Sequence, residues 1–312
     1  MPLVAIGAAA WGLDGLLRKP LATALPAATV VFWEHLIVVL VIVPFIPGAL
    51  RAFRRCTWTE QLAIALIGIG ASALATALFT EAFAVAAGTG DFVSPLVLQK
   101  LQPVFAVLLA AVLLGERIRP AFAGYAVPAL AGAWLLAFPH PSGVTVTAAK
   151  VALLAIGAAA LWAAGTVLGR RVSDAVTPAE LTVLRYCWGL PAALVIALHE
   201  HASLTPGGGN VLGLILLALI PGLLALRLYY VGLRRTAAMR ATFAELAFPA
   251  TAALVGVLFL DARLIWSQWV GLAVVAAAVT ALGLRERRPQ PLVRERPAVD
   301  GVSSEAGATV QA

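Results

Sequence analysis

Apolar positions fall along this chain in ten long blocks, separated by short polar breaks. The blocks are residues 3–19, 27–47, 62–84, 92–114, 119–138, 148–168, 179–198, 210–233, 241–260 and 264–284. Each comes close to or passes the roughly 20 residues that carry an α-helix across a bilayer. The alternation of a strand is missing, which argues against a membrane barrel. The pattern therefore predicts an all-α integral membrane protein with ten transmembrane helices, helix 1 to helix 10. Residues 285–312 combine Arg, Pro, Ser and Gly with few apolar residues and read as a disordered cytoplasmic tail. The first block begins at Leu3 without a charged leader, so it reads as a span rather than a cleavable signal.

The blocks repeat. Residues 96–118 match residues 242–264 in register: Pro103 with Pro249, Ala106 with Ala252, Leu108 with Leu254, Leu114 with Leu260, Arg117 with Arg263. The hexapeptide AIGAAA at residues 5–10 recurs at 155–160, and a tryptophan follows each copy, Trp11 and Trp162. We divide the chain into a first five-helix repeat, residues 1–140, and a second, residues 141–284. Five spans is an odd number, so the two repeats point in opposite directions, with a pseudo-two-fold axis in the membrane plane.

Charge sets the orientation. Only 12% of residues are charged and 62% are hydrophobic, against roughly a quarter charged in a soluble domain. The net charge of +7 sits in loops, which favours orientation in a membrane over nucleic-acid binding. With the amino terminus inside, the inner loops hold Arg51, Arg54, Arg55, Arg117, Arg119, Arg170, Arg171, Arg234, Arg235 and Arg240, and the tail adds five arginines. The outer loops hold Arg18, Lys19, Lys150 and Arg263. Both termini are thus expected in the cytoplasm, the protein being a multi-pass component of the cytoplasmic membrane.

Polar groups inside apolar helices are the candidates for mechanism, because each charge costs roughly 2.5–3.5 kcal/mol at a helix centre. Asp14, Glu34 and Glu81 lie toward the outer ends of helices 1, 2 and 3, with Lys100 deeper in helix 4. Arg185, Arg227 and Glu245 lie toward the inner ends of helices 7, 8 and 9. Three acids face one lysine in the outer group. That leaves an acid free to take up and release a proton. Asp14 shares a helix face with Trp11 and Arg18. It reads either as a cavity carboxylate or as the partner of Arg18 or Lys19. Lys100 reads as a binder of an anionic group or as the partner of Glu81 or Asp14, and Glu81 as that partner or as a proton carrier. Gln99 and Gln102 flank Lys100, and Glu245 aligns with Gln99. Glu245 reads as a cavity group or as the partner of Arg227 or Arg240. Trp11, Trp162, Tyr229 and Tyr230 are candidate apolar walls. Arg185, Arg227 and Glu34 read as structural polar residues, Glu34 and His35 being either a helix-packing polar pair or interfacial. Pro103 and Pro249 read as helix kinks, each exposing a carbonyl one turn earlier. Gly124, Pro128 and Gly132 line one stripe of helix 5, which suits packing within the fold or a homodimer contact.

Enzyme motifs are missing: no phosphate-binding glycine loop, no paired Cys or His at ligand spacing, no nucleophile beside a base. Neither a metal nor a cofactor is implied. Cys56 and Cys187 form no framework.

The chain resembles the drug/metabolite transporter superfamily in its EamA-type branch. The resemblance is carried by Trp11 and Gly12, by LQPVFAVLLAAVLLGER at residues 101–117, by YYVGLRRTAAMRATFAELAFPATAAL at residues 229–254, and by Arg185 seven residues after Pro178. It covers residues 3–284. The chain departs from it at Trp33 and Glu34, where the family often has arginine. The resemblance implies a central chamber lined by helices 1, 3, 4, 6, 8 and 9. We therefore expect a secondary active transporter, an exporter of a small amphiphilic metabolite such as an amino acid. It would work by alternating access, with protons as the candidate coupling ion. The alternatives are an uncoupled facilitator or uptake permease, or a non-transporting scaffold or sensor.

Overall fold

The computed structural model describes residues 2–88, 92–115, 122–138, 145–234, 247–259 and 264–286. All regular structure among them is helical. It forms ten rods, and six of them have a stretch long and apolar enough to cross a membrane by length and composition. Helix 1 consists of Pro2–Gly12 and Asp14–Ala24, joined at Leu13. Helix 2 runs Ala27–Ile42, tightens to a 3-10 turn at Val43–Phe45 and continues as Ile46–Arg55. Arg51, Arg54 and Arg55 therefore sit on a helical extension rather than in a loop.

Helix 3 opens at Trp58 behind a capping box: Glu60 accepts from the Thr57 backbone N–H at 2.7 Å. Helix 7 (Pro178–His199) opens the same way, with Glu180 accepting from Thr177 N–H at 2.8 Å. Each box satisfies donors that a helix start leaves orphaned. Helix 6 is Val146–Arg171, helix 5 Ala123–Ala137, helix 9 Ala247–Phe259 and helix 10 Trp266–Glu286.

Helices 3 and 8 share an irregularity. Helix 3 has a π-helical stretch at Ile67–Leu74 between Trp58–Leu66 and Ala75–Ala86. Helix 8 has one at Ala218–Leu224 between Val211–Leu217 and Ala225–Arg234. The 150-residue displacement of AIGAAA superposes the two stretches.

Packing follows the same exchange of halves. Helix 1 packs on helices 8 and 9, and helix 6 packs on helices 3 and 4. Helix 7 crosses the π stretch of helix 3, and helix 2 crosses that of helix 8. The pairs 2–7 and 5–10 close on themselves. Gly12 and Gly132 are two of the glycines that permit close approach between helices. A Cβ on Gly12 would lie 2.7 Å from Thr251 Cβ, and one on Gly132 would lie 2.9 Å from Gly271 O. Gly132 of the small-residue stripe thus serves packing of helix 5 on helix 10 within the chain.

Helix 4 differs from its expected kink. It is broken into Val93–Leu98, a 3-10 turn Gln99–Leu101 and Gln102–Leu114, with Pro103 in the first turn of the last piece. Proline is tolerated there because that turn needs no N–H. The Gln99 carbonyl, expected to be exposed by Pro103, accepts from Gln102 N–H. Pro249 likewise lies near the start of helix 9. The disordered tail expected from residue 285 is helical to Glu286, and its remainder lies outside the described residues.

Candidate functional site

Arg18 is the centre of the site, and the sequence pattern placed it in an outer loop. It lies inside helix 1 at 3% exposure. Asp14, one turn earlier, receives two of its N–H groups, Nε to Oδ2 at 2.7 Å and Nη2 to Oδ1 at 2.8 Å. Nη1 donates to Glu34 Oε2 of helix 2 at 3.3 Å and to Thr80 Oγ1 of helix 3 at 2.6 Å. The Thr80 hydroxyl in turn donates a hydrogen bond to Thr76 O at 2.8 Å. Asp14, Glu34 and Thr80 are all buried. A charge in an apolar bundle survives only when paired and hydrogen-bonded, and this guanidinium is both.

These contacts change two expectations. Glu34 pairs with Arg18 rather than with His35, which instead holds Ser72 Oγ through Nε2 at 2.9 Å. The acid left over in the outer group finds a partner too. Glu81 meets Lys150 of helix 6 at 3.3 Å. That pair is 40% and 56% exposed at its side chains, so it contributes only about 0–1 kcal/mol.

An aromatic wall adjoins the charged knot. The Arg18 guanidinium lies 5.5 Å from the Phe79 ring centroid. Phe79 meets Trp162 and Phe83 edge-on, each at 5.3 Å, and Phe83 stacks on Phe92 at 6.0 Å. Trp11 packs against the same cluster and donates its indole N–H to Pro221 O at 3.0 Å. Across the wall, Lys100 Nζ sits 3.5 Å from the Phe248 centroid, a cation–π contact to helix 9. Gln102 Nε2 donates to Thr166 Oγ1 of helix 6 at 3.1 Å.

Not every expected residue joins the site. Arg227 is exposed. Arg185 does tie helix 7 to helix 3, donating from Nη2 to Ala71 O at 2.9 Å. Gln99 is in the 3-10 turn and half-buried. Tyr229 and Tyr230 lie on the described backbone of helix 8, but their side chains, and Glu245 altogether, lie outside the described residues. Arg18 is the partner that Asp14 was expected to have as one of its two readings, while Thr80, Phe79, Phe248 and Thr166 were not expected from sequence. The signal for Arg18 was its spacing of four from Asp14 on the face of Trp11, and the other four carried none.

The arrangement joins buried charge, hydroxyls and an amide to a face of rings. The charged knot and the phenylalanines are buried, and Trp11, Trp162, Lys100 and Gln102 are the members of this group that remain part-exposed. No group of three potential metal ligands occurs among the described residues.

Known proteins give a consistent context. The EamA-like transporter family model matches residues 1–138 and 149–284. A riboflavin transporter, ImpX, of Fusobacterium nucleatum subsp. nucleatum is 30% identical over 259 residues, 79% of this chain and 85% of its own length. An uncharacterized transporter, YwfM, of Bacillus subtilis is 31% identical over 64% of this chain and 67% of its own. A riboflavin transporter of Rhizobium johnstonii is 27% identical over 85% of this chain and 83% of its own. A solved crystal structure at 22% identity covers 91% of this chain and 97% of its own with a TM-score of 0.59, and so shares the fold. These likenesses point to a transporter rather than an enzyme. With the family model spanning both halves of a ten-rod apolar bundle, the chain belongs to the EamA-like transporter family.

Proposed function

We propose that this protein is a secondary transporter of the cytoplasmic membrane for a flat, amphiphilic heteroaromatic metabolite, riboflavin being the first candidate. The observation that carries the reading is the Arg18 knot leaning on the Phe79–Trp162 wall. Phe79, Phe83 and Phe92 are buried and back the wall, while the half-buried Trp11 and Trp162 offer stacking to a fused aromatic system and the half-buried Lys100 and Gln102 offer hydrogen bonds to its polar edge. Two relatives named as riboflavin transporters support that solute over the amino acid expected from sequence.

Movement is alternating access, the two five-helix halves rocking about the site between them. Two carboxylates share one guanidinium at Arg18, and protons are the coupling ion of this reading. Proton entry in exchange for solute makes the carrier an exporter. Both termini face the cytoplasm in this arrangement.

The test uses purified protein in liposomes. Vesicles preloaded with riboflavin are expected to accumulate labelled riboflavin by counterflow, and Asp14→Asn to lower the rate about tenfold or more, the scale of one lost charge-assisted hydrogen bond. A gradient acid on the inside should drive uptake by exchange. Uptake driven by an acid outside would reverse the coupling, and indifference to both gradients would mark an uncoupled facilitator. No counterflow from folded protein removes riboflavin as the solute.

A further inference from the structure

The two π-helical stretches leave the same carbonyl uncovered in each half. In an α-helix, Ala75 N–H would bond Ala71 O, four residues back. Here it bonds Gly70 O and Ser72 O and passes over Ala71 O. At the matching register of the second half, Ala225 N–H bonds Ile220 O and passes over Pro221 O. Positions 71 and 221 are equivalent under the 150-residue displacement. Each of these two carbonyls is then taken by a side chain from the opposite half. Arg185 of helix 7 donates to Ala71 O at 2.9 Å, and Trp11 of helix 1 donates to Pro221 O at 3.0 Å. Arg185 Nε is buried without a hydrogen-bond partner among the described residues, so the carbonyl is the recorded hold on that guanidinium.

The two donors are not themselves equivalent by sequence. Under the strict 150-residue displacement, Trp11 falls on Leu161, one residue before Trp162, and Arg185 falls on His35. Leu161 has no donor, and His35 bonds Val31 O and Ser72 within its own half. The acceptors are symmetric while the donors are not. A symmetric pair of helix defects, each closed across the interface by a different residue, forms two contacts that the rocking of the halves must break or re-form.

We propose that Ala71 O and Pro221 O are paired latch points of the transport cycle, and that Arg185 and Trp11 are positioning residues that set the balance between its two end states. The proposal rests on the reading of the chain as an alternating-access transporter. π bulges occur often at functional sites because they present a backbone group that the helix no longer uses. An interaction made in one state and lost in the other shifts the balance by its own free energy.

The experiment is double electron–electron resonance on purified full-length protein with Cys56 and Cys187 replaced by alanine. One spin-label pair is placed at Ala87 and Ile265, beside the end of helix 3 and the start of helix 10. The second pair is at Leu113 and Asp174, near the ends of helices 4 and 6 on the other side of the bundle. Trp11→Phe and Arg185→Met remove the donors but keep the bulk, and Arg185→Lys keeps a donor. We expect Trp11→Phe and Arg185→Met each to shift the ratio of open to closed distances about fivefold, the size of one hydrogen bond. The two label pairs should change in opposite senses, and Arg185→Lys should restore most of the shift. Distributions that superpose on the parent, with or without a lower melting temperature, would overturn the proposal and leave both contacts as static packing. The distances do not depend on the solute. A shift without riboflavin counterflow therefore upholds the latch while removing riboflavin, and counterflow without a shift does the reverse.

Discussion

A guanidinium that meets two carboxylates and a hydroxyl inside an apolar bundle depends on all of them, and they depend on it. Removing one partner of a buried pair leaves an uncompensated charge and costs about 3–5 kcal/mol. Arg18→Met is therefore expected to lower the melting temperature in detergent by roughly 10 °C, using about 2–4 °C per kcal/mol for a chain of this size class. Lys150→Met should barely move it, because the Lys150–Glu81 pair is largely exposed. Equal melting temperatures for the two variants would show that the Arg18 knot does not hold the fold. Part of this was legible beforehand. Asp14 and Arg18 are one turn apart on the face of Trp11, and the sequence shows that. What it hid was burial. A hydropathy pattern ends a block where charges begin, so Arg18 looked like a loop residue. Its partners Glu34 and Thr80 are 16 and 62 residues away and meet it only through the packing of helices 1, 2 and 3.

Among elements, positions of the spans follow from hydropathy and their internal breaks do not. Ten blocks became ten rods, because a long apolar run in lipid has to satisfy its backbone internally. The π stretch of helix 3 contains no proline, and nothing in IGIGASAL announces it. Helix 8 has Pro221 at the matching place, which removes an N–H and loosens the ladder there. In helix 4, Pro103 begins a helical piece instead of kinking one, since the preceding 3-10 turn had already re-covered Gln99 O. Close approach is testable at this scale. A Cβ at position 132 would lie 2.9 Å from Gly271 O and 3.0 Å from Val274 Cγ1. Gly132→Leu should wedge helix 5 off helix 10 and cost about 1–3 kcal/mol. Gly124→Leu on the same helix, where nothing lies within 4 Å, should cost little. Thermal unfolding of the two variants separates them. If Gly124→Leu proved the more damaging, the helix 5–10 packing described here would be wrong.

Across the whole molecule, one exchange of halves organises everything observed. Helix 1 on helices 8 and 9 mirrors helix 6 on helices 3 and 4, and the π stretches fall at matching registers. The sequence echoes led to the expectation of a duplication, and the solute was beyond them. Apolar walls tolerate many rings, and the groups that would orient a solute come from loci far apart in the chain. On the proposed reading, two halves that each cross the bilayer five times are inverted, and ten crossings return the chain to the side where it began. Sealed vesicles of known orientation, carrying protease-cleavable tags at the amino and carboxyl ends, test that architecture directly. The account predicts that both tags are cut from the cytoplasmic face and neither from the other. Tags cut from opposite faces would contradict the inverted pair of five-helix halves and the alternating access built upon it.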